Sequence, residues 1–340
     1  MITIIAEGIG LGHISRCIPL AKEIAKHDDY CVLTFGSAYD KAVKAGIKAE
    51  NLKIDFSLKI NDGALKIENT TIDYIIKVNY PVISKIMAKM RRDKPDIVIS
   101  DSSVSGLLAA KLSGHKKIIY MANQTDFSSF PSQGMLKKSA DYLGSFVVDS
   151  ADKIIVPDLP APYSICLDNI KFFGKEKKFS FTGPIARKYP QGDYSHACAT
   201  MGGDSDGGVL TALDRAGVPI RTVAKGKFKS LKYAPDFDEM FGDCGTILAH
   251  GGHSTLMEAI ISRKAVVGVP MNSYSERVLN LKKMQKLGLC EILDTRCMDK
   301  RTLEFALSQA WEKAEASGAF YDYAASFDGP REAAASMLGI

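Results

Sequence analysis

Runs of aliphatic and β-branched residues alternate with amphipathic stretches along this chain. Ile2 to Ala6 reads as a strand rich in isoleucine, a helical pattern covers His13 to Lys26, and a second strand spans Tyr30 to Phe35, which is βαβ rhythm. The rhythm resumes after Lys94-Pro95-Asp96 with a strand at Ile97 to Ser100, a helix at Ser105 to Leu112, and strands at Lys117 to Met121 and Lys153 to Val156. These strands read as continuous β-branched runs, as parallel strands covered on both faces do. A Gly/Pro-bearing segment from Phe181 to Gly192 interrupts the pattern and is the expected linker. Beyond it lie strands at Ala197 to Met201, Ile220 to Ala224, Thr246 to Ala249 and Ala265 to Val269. Helices are expected at Ser254 to Ser262, Arg277 to Leu287 and Arg301 to Ser317. The expected fold class is α/β, with two doubly wound domains over 1–184 and 193–325.

Length agrees with two domains, since 340 residues exceed what one compact core usually holds. Apolar residues make up 46% and charged residues 24%, the balance of a globular protein. No apolar stretch reaches 18 residues and no basic leader with a cleavage site precedes Met1 to Ile5, so a cytoplasmic location is expected. The seven cysteines (17, 31, 166, 198, 244, 290 and 297) show no C-x-x-C spacing, which argues against a zinc cluster or a disulfide framework. A formal charge of +5, from 44 basic against 39 acidic residues, mildly favours phosphate-bearing ligands and is too weak for a nucleic-acid partner.

Ligands of doubly wound sheets sit at the carboxyl ends of strands, where glycine loops lead into helices. The first such loop is Gly8-Ile9-Gly10-Leu11-Gly12-His13. A dinucleotide fingerprint would need glycine at position 13 and an acid after the second strand, where Phe35-Gly36-Ser37 stands instead. Gly10 and Gly12 allow close backbone approach to a ligand. At a helix start the dipole keeps the imidazole of His13 neutral and usable as a general base. The plainer alternative is a strand-to-helix turn that needs glycine for its backbone. The second loop, His250-Gly251-Gly252-His253-Ser254-Thr255-Leu256-Met257-Glu258, combines backbone amides, two hydroxyls and a helix N-terminus, an anion site suited to a pyrophosphate. Glu258 lies one turn further, in reach of ribose hydroxyls. His-x-x-His without a carboxylate or cysteine partner set is a poor zinc site, so no metal and no cofactor are expected.

These loops, with Gly268-Val269-Pro270 and Glu276-Arg277-Val278-Leu279-Asn280, resemble the GT-B glycosyltransferases, particularly the MurG-like and UDP-glycosyltransferase groups. The resemblance implies two Rossmann-like domains facing across a cleft, with the acceptor on the N-terminal one and the nucleotide-sugar on the C-terminal one. A last helix near Pro330 to Leu338, in a segment 326–340, would cross back to the N-domain. It further implies an inverting, metal-independent transfer with His13 as base and Asp101 as its orienting acid. His250, Gly251, Gly252, Ser254 and Thr255 would hold the diphosphate, Glu258 the ribose, and Glu276, Arg277 and Asn280 the sugar. Asp101 alternatively reads as a strand-end cap for the next helix. Gly202 and Gly203, in a second glycine loop, are expected over the diphosphate or sugar, or in a surface turn.

One departure is Arg277, where the groups it resembles commonly have glutamine. Arginine offers a planar fork for carboxylate or phosphate, so either the donor sugar is acidic or Arg277 turns away. The donor is expected to be a UDP-sugar by resemblance, with the base near Tyr233 to Phe237; thymidine and guanosine donors stay open. The acceptor, lipid-linked or small, depends on loops such as 51–71 and 123–135. The basic and apolar helix Pro81 to Arg92 and the segment Lys171 to Phe181 are candidates for peripheral membrane contact, or else solvated faces. A 2-epimerase-like isomerase and a non-catalytic nucleotide-sugar-binding protein share the architecture and remain the alternatives.

Overall fold

The computed structural model describes residues 1–8, 10–54, 60–61, 64–65, 79–128, 135–201, 207–271 and 275–340, with the side chains of 60, 61, 64, 65, 135–139, 207 and 297 excepted. The chain divides into two compact units. The first comprises Met1–Lys59, Leu65–Ala186 and Phe327–Ile340, and the second Ile60–Ala64 and Arg187–Ser326.

Strands are numbered along the chain: β1 (Ile2–Ala6), β2 (Tyr30–Thr34), β3 (Ala49–Asn51), the ribbon β4 (Ile60–Asn61) and β5 (Ala64–Leu65), β6 (Ile97–Asp101), β7 (Ile118–Met121), β8 (Lys153–Val156) and β9 (Phe179–Phe181). The first unit carries an all-parallel sheet in the order β3-β2-β1-β6-β7-β8-β9. Successive residues of its strands serve opposite cores, as a period of two demands. Ile2, Ile4, Ile97, Ile99, Ile119 and Met121 meet the helices Gly12–Ile24 and Gly329–Leu338 on one face. Ile5, Val98, Ile118 and Tyr120 meet Tyr80–Asp93, Val104–Leu112 and Met135–Ser150 on the other. Ala333, Ala334 and Met337 thus lie in one core with Ile14, Cys17 and Ile18, and Lys153 Nζ donates to the Ser336 carbonyl at 2.8 Å.

The second unit has β10 (Asp193–Thr200), β11 (Ile220–Thr222), β12 (Leu231–Tyr233), β13 (Cys244–Ala249), β14 (Ala265–Gly268) and β15 (Cys290–Ile292), again all parallel, in the order β12-β11-β10-β13-β14-β15. Both sheets reverse direction once. In the first unit the reversal separates β1 from β6, whose ends are level because Ala6 pairs with Asp101. In the second it separates β10 from β13, where Thr200 pairs with Ala249. The crevice beyond such a reversal is where open α/β sheets receive ligands. Both glycine loops leave from these points.

Most cations of the two basic segments are engaged within the first unit. Lys85 donates to the carbonyl of Lys53 at 2.9 Å and also to that of Leu52, Lys89 pairs with Asp93 at 2.8 Å and with Glu50, and Arg92 with Asp93 at 2.8 Å. Lys171 pairs with Asp141 at 2.8 Å, Lys175 with Asp149, and Lys178 donates to the carbonyls of Val148 and Ala151. No helix among the described residues is long and apolar enough to cross a membrane.

Candidate functional site

In the first unit, β1 ends at Ala6 and the helix Gly12–Ile24 opens after five intervening residues. The turn between them needs its glycines. Gly10 has φ +74°, and a Cβ on Gly8 would sit 2.6 Å from the Phe35 ring. The helix begins without a side-chain cap or an acidic residue in its first turn, unlike the helix opening at Val104, which Ser103 caps. His13, with its side chain 27% exposed, brings Nδ1 to 3.4 Å from Oδ1 of the wholly buried Asp101. The two candidates are therefore brought together.

A third residue holds Asp101 more closely than His13 does. Arg16, 2% exposed, donates from Nε to both carboxylate oxygens at 2.9 and 3.0 Å and from Nη2 to Oδ1. Nη1 donates to Asn123 Oδ1 at 2.8 Å, and Nη2 also donates to Ser102 Oγ at 2.9 Å and lies 3.2 Å from His13 Nδ1. The Cys17 thiol donates to Asp101 Oδ2 at 3.1 Å. Burial pushes the Asp101 carboxyl up, but the Arg16 charge and then His13 outweigh it and hold the group down at about 2. Burial and the same carboxylate push the Cys17 thiol and the Tyr120 hydroxyl up. Ser102, next to Asp101, adopts the left-handed φ of +51°. Its amide and hydroxyl both donate to the Met121 carbonyl, at 2.9 and 3.1 Å, so the turn that aims Asp101 is tied to the neighbouring strand.

In the second unit, β13 runs through His250, Gly251 and Gly252 into the helix His253–Ile261, again without a side-chain cap or an acid in its first turn. His250 is buried and holds Nδ1 2.7 Å from the Val269 carbonyl, which fixes the ring. Gly251 has φ +92°, and a Cβ there would lie 2.3 Å from the Arg277 carbonyl oxygen, so no other residue fits. The buried Asn280 donates from Nδ2 to the Gly251 carbonyl at 3.0 Å and to Glu276 Oε1 at 3.2 Å. It thereby ties the glycine loop to the helix Ser275–Lys286 and orients Glu276. Ser254 and Thr255 are half-buried in the first turn of their helix, and Glu258 is buried one turn on. Gly202 and Gly203 lie outside the described residues, as do most of the 51–71 loop and 129–134. Tyr233 is 50% exposed at the end of β12, whereas Phe237 stacks on Phe241 at 5.4 Å.

Glu258 is also an ion-pair partner. Arg187 donates from Nε to its Oε1 at 3.2 Å and from Nη1 to both oxygens of Asp238 at 2.8 Å, with its guanidinium 5.1 Å above the Tyr189 ring. Any ribose that reaches Glu258 shares it with this arginine.

Residues 215–326 match the glycosyltransferase family 28 C-terminal domain, a span that takes in the His250–Glu258 loop and Glu276 to Asn280. Over 319 residues the chain is 29% identical to an uncharacterised glycosyltransferase of Methanosarcina mazei, covering 84% of this chain and 83% of that protein. The chain is a glycosyltransferase of the GT-B type. Its fold is similar to that of the spinosyn forosaminyltransferase SpnP, with a TM-score of 0.70 at 14% identity over 99% of this chain and 98% of that one. It is likewise similar to the glycosyltransferase SnogD from Streptomyces nogalater, with a TM-score of 0.67 at 15% identity over 100% and 99%.

Within this glycosyltransferase, sequence reasoning placed both loops but missed Arg16 and Arg187. Arg16 had a visible signal, because it is a lone cation in the mostly apolar run Ile14 to Ala21, where an unpaired charge would be too costly to bury. Arg187 had none, since Ala186-Arg187-Lys188 reads as an ordinary linker.

Proposed function

We propose that this glycosyltransferase is inverting and metal-independent, moving a sugar from a nucleotide-sugar, a UDP-sugar by resemblance, to an acceptor hydroxyl with His13 as general base. The observation that carries the reading is the His13–Asp101 pair at the sheet reversal of the first unit, the position where a doubly wound fold exposes a ligand-facing side chain. As the acceptor oxygen bonds to the anomeric carbon, its proton passes to the outward nitrogen of His13, and the bond to the diphosphate breaks on the opposite face of the sugar. Asp101 stabilises the imidazolium that forms without itself taking the proton, consistent with a carboxyl held at about 2. On the donor side, the uncapped helix at His253, the Ser254 and Thr255 hydroxyls and the ring of His250 would receive the charge that grows on the leaving diphosphate. Glu258 would hold the ribose, and Glu276, oriented by Asn280, the sugar hydroxyls. Tyr233 offers a half-exposed ring for the base.

The test separates binding from chemistry. His13→Ala should lower kcat by roughly 100- to 10,000-fold, the usual worth of a general base, while leaving the Kd for UDP unchanged. Transfer at an undiminished rate in that variant would rule out His13 as the base. Retention of anomeric configuration in the product would rule out the inverting mechanism.

A further inference from the structure

We propose that Arg187 is a positioning residue of the donor site: by pairing with Glu258 it keeps the ribose-reading carboxylate charged and aimed, and so sets how strongly the site prefers a ribonucleotide over its deoxy analogues. The proposal rests on Glu258 holding the ribose, and it adds the residue through which Glu258 works. All the groups involved belong to the second unit. Glu258 lies in the second turn of the helix His253–Ile261, which also buries Leu256, Met257, Ala259 and Ile260, and its side chain is 5% exposed. A carboxylate buried in such surroundings without a counter-charge is driven to take up a proton. The neutral acid would hold ribose hydroxyls less firmly, since hydrogen bonds to an ionised acceptor are roughly twice as strong as neutral ones.

The hydrogen count at Arg187 gives Glu258 a donor of its own. Nε has a single hydrogen, and it goes to Glu258 Oε1 at 3.2 Å. The two hydrogens of Nη1 serve the Asp238 oxygens, each at 2.8 Å. Tyr189, whose ring lies 5.1 Å from the guanidinium, donates its hydroxyl to the same Asp238 at 3.0 Å. The Tyr189 amide donates to Ser262 Oγ at 2.9 Å, so the segment carrying Arg187 is also anchored just past the end of the helix that carries Glu258. Burial pulls the Arg187 guanidinium down, but Glu258, and after it Tyr189 and Asp238, hold it above its ordinary value. Stability alone does not account for the arrangement. Asp238 is 58% exposed, where an ion pair contributes little. Nη2 stays buried without a partner among the described residues, which is unfavourable. What the guanidinium supplies is a fixed positive charge beside a buried acid. A carboxylate offers about four lone-pair positions, so the bond from Nε aims the group without exhausting it.

Calorimetry with UDP, 2′-deoxy-UDP and 3′-deoxy-UDP reads the proposal as a ratio of Kd values. The wild type should prefer UDP over at least one deoxy analogue by roughly 10- to 100-fold, the contribution of a hydrogen bond to a charged group. Arg187→Gln should cut that ratio by about five- to tenfold, the difference between a charged and a neutral hydrogen bond, by weakening UDP and leaving the analogue unchanged. Arg187→Lys should fall between the two, because its ammonium keeps the charge but loses the fork that aims the carboxylate, and it decides the matter if Arg187→Gln does not fold. A wild-type ratio in these variants would overturn the proposal. So would a purely structural effect, in which the unfolding temperature drops and UDP and its analogues weaken alike. A Glu258→Gln protein that keeps the wild-type ratio removes the ribose assignment and the proposal with it. A lower ratio in Glu258→Gln but not in Arg187→Gln overturns the proposal alone.

Discussion

Replacing Asp101 by asparagine should destabilise the first unit and leave the second untouched, by an amount the structure bounds. Asparagine keeps the shape but removes the charge that compensates Arg16, a guanidinium 2% exposed. Breaking a buried pair by neutralising one partner costs about 3–5 kcal/mol. A second route gives a similar size. The Asp101 carboxyl stands at about 2 against an ordinary value of 3.8, and at 1.36 kcal/mol per pKa unit that difference is worth on the order of 2 kcal/mol. The sign follows from the direction: a depressed folded-state value contributes stability in full above the ordinary carboxylate range. That contribution is lost as pH falls from about 3.8 through about 2. The gap between wild type and Asp101→Asn should therefore be widest near neutrality, narrow markedly by pH 3 and close only below about pH 2. The two units must be read separately, because a two-unit chain need not unfold in one step. The single tryptophan, Trp311, lies in the second unit, so its fluorescence transition should be unchanged. Amide hydrogen exchange in β1 and β6 should accelerate by roughly two to three and a half decades at pH 7. Equal gaps at pH 7 and pH 3 would refute the electrostatic argument, and a shifted Trp311 transition would refute its confinement to the first unit.

On the donor side, Glu258→Ala should abolish the stabilisation that UDP gives the wild type, about 4 kcal/mol for a millimolar ligand of micromolar affinity, in a thermal-shift panel that includes dTDP and GDP. Gly251→Ala combines a left-handed φ with a Cβ 2.3 Å from the Arg277 carbonyl. It should cost at least 1–2 kcal/mol in the second unit's stability and weaken UDP tenfold or more by calorimetry. Lys264 is wholly buried and donates to the carbonyls of Pro190, Gln191 and Cys244. Lys264→Met, which leaves these without a donor, should lower the Trp311 unfolding transition by about 1–3 kcal/mol.

The central strands were legible because a parallel strand buried on both faces is mostly aliphatic, and β1, β2, β6, β7, β8, β13 and β14 each carry such a run, with polar residues such as Thr3, Asp101 and Lys153 as exceptions. The edge strands β3, β9, β12 and β15 have three residues each, too few for any period to show. The helix Met135–Ser150 escaped notice for a different reason. Gly144 in its middle looks like a breaker, but a Cβ there would lie 2.4 Å from the Thr125 carbonyl, so this glycine serves close packing. Of the two sites, the loops could be read because glycines and polar residues follow a strand end. Their electrostatic partners could not, because Arg16 and Asp101 are 85 residues apart and Arg187 and Glu258 are 71 apart. Local pattern carries no information about such pairs.

The helix Gly329–Leu338 gives the first unit a dependence on the order of synthesis. Ala333, Ala334 and Met337 share a core with Ile14, Cys17 and Ile18, yet the ribosome makes them only after the whole of Arg187–Ser326. During translation the second unit can close on its own residues while one face of the first waits, its apolar side chains exposed to water. A chaperone that masks that face until residue 337 has emerged, or a stop codon before residue 327, would therefore act on the first unit alone.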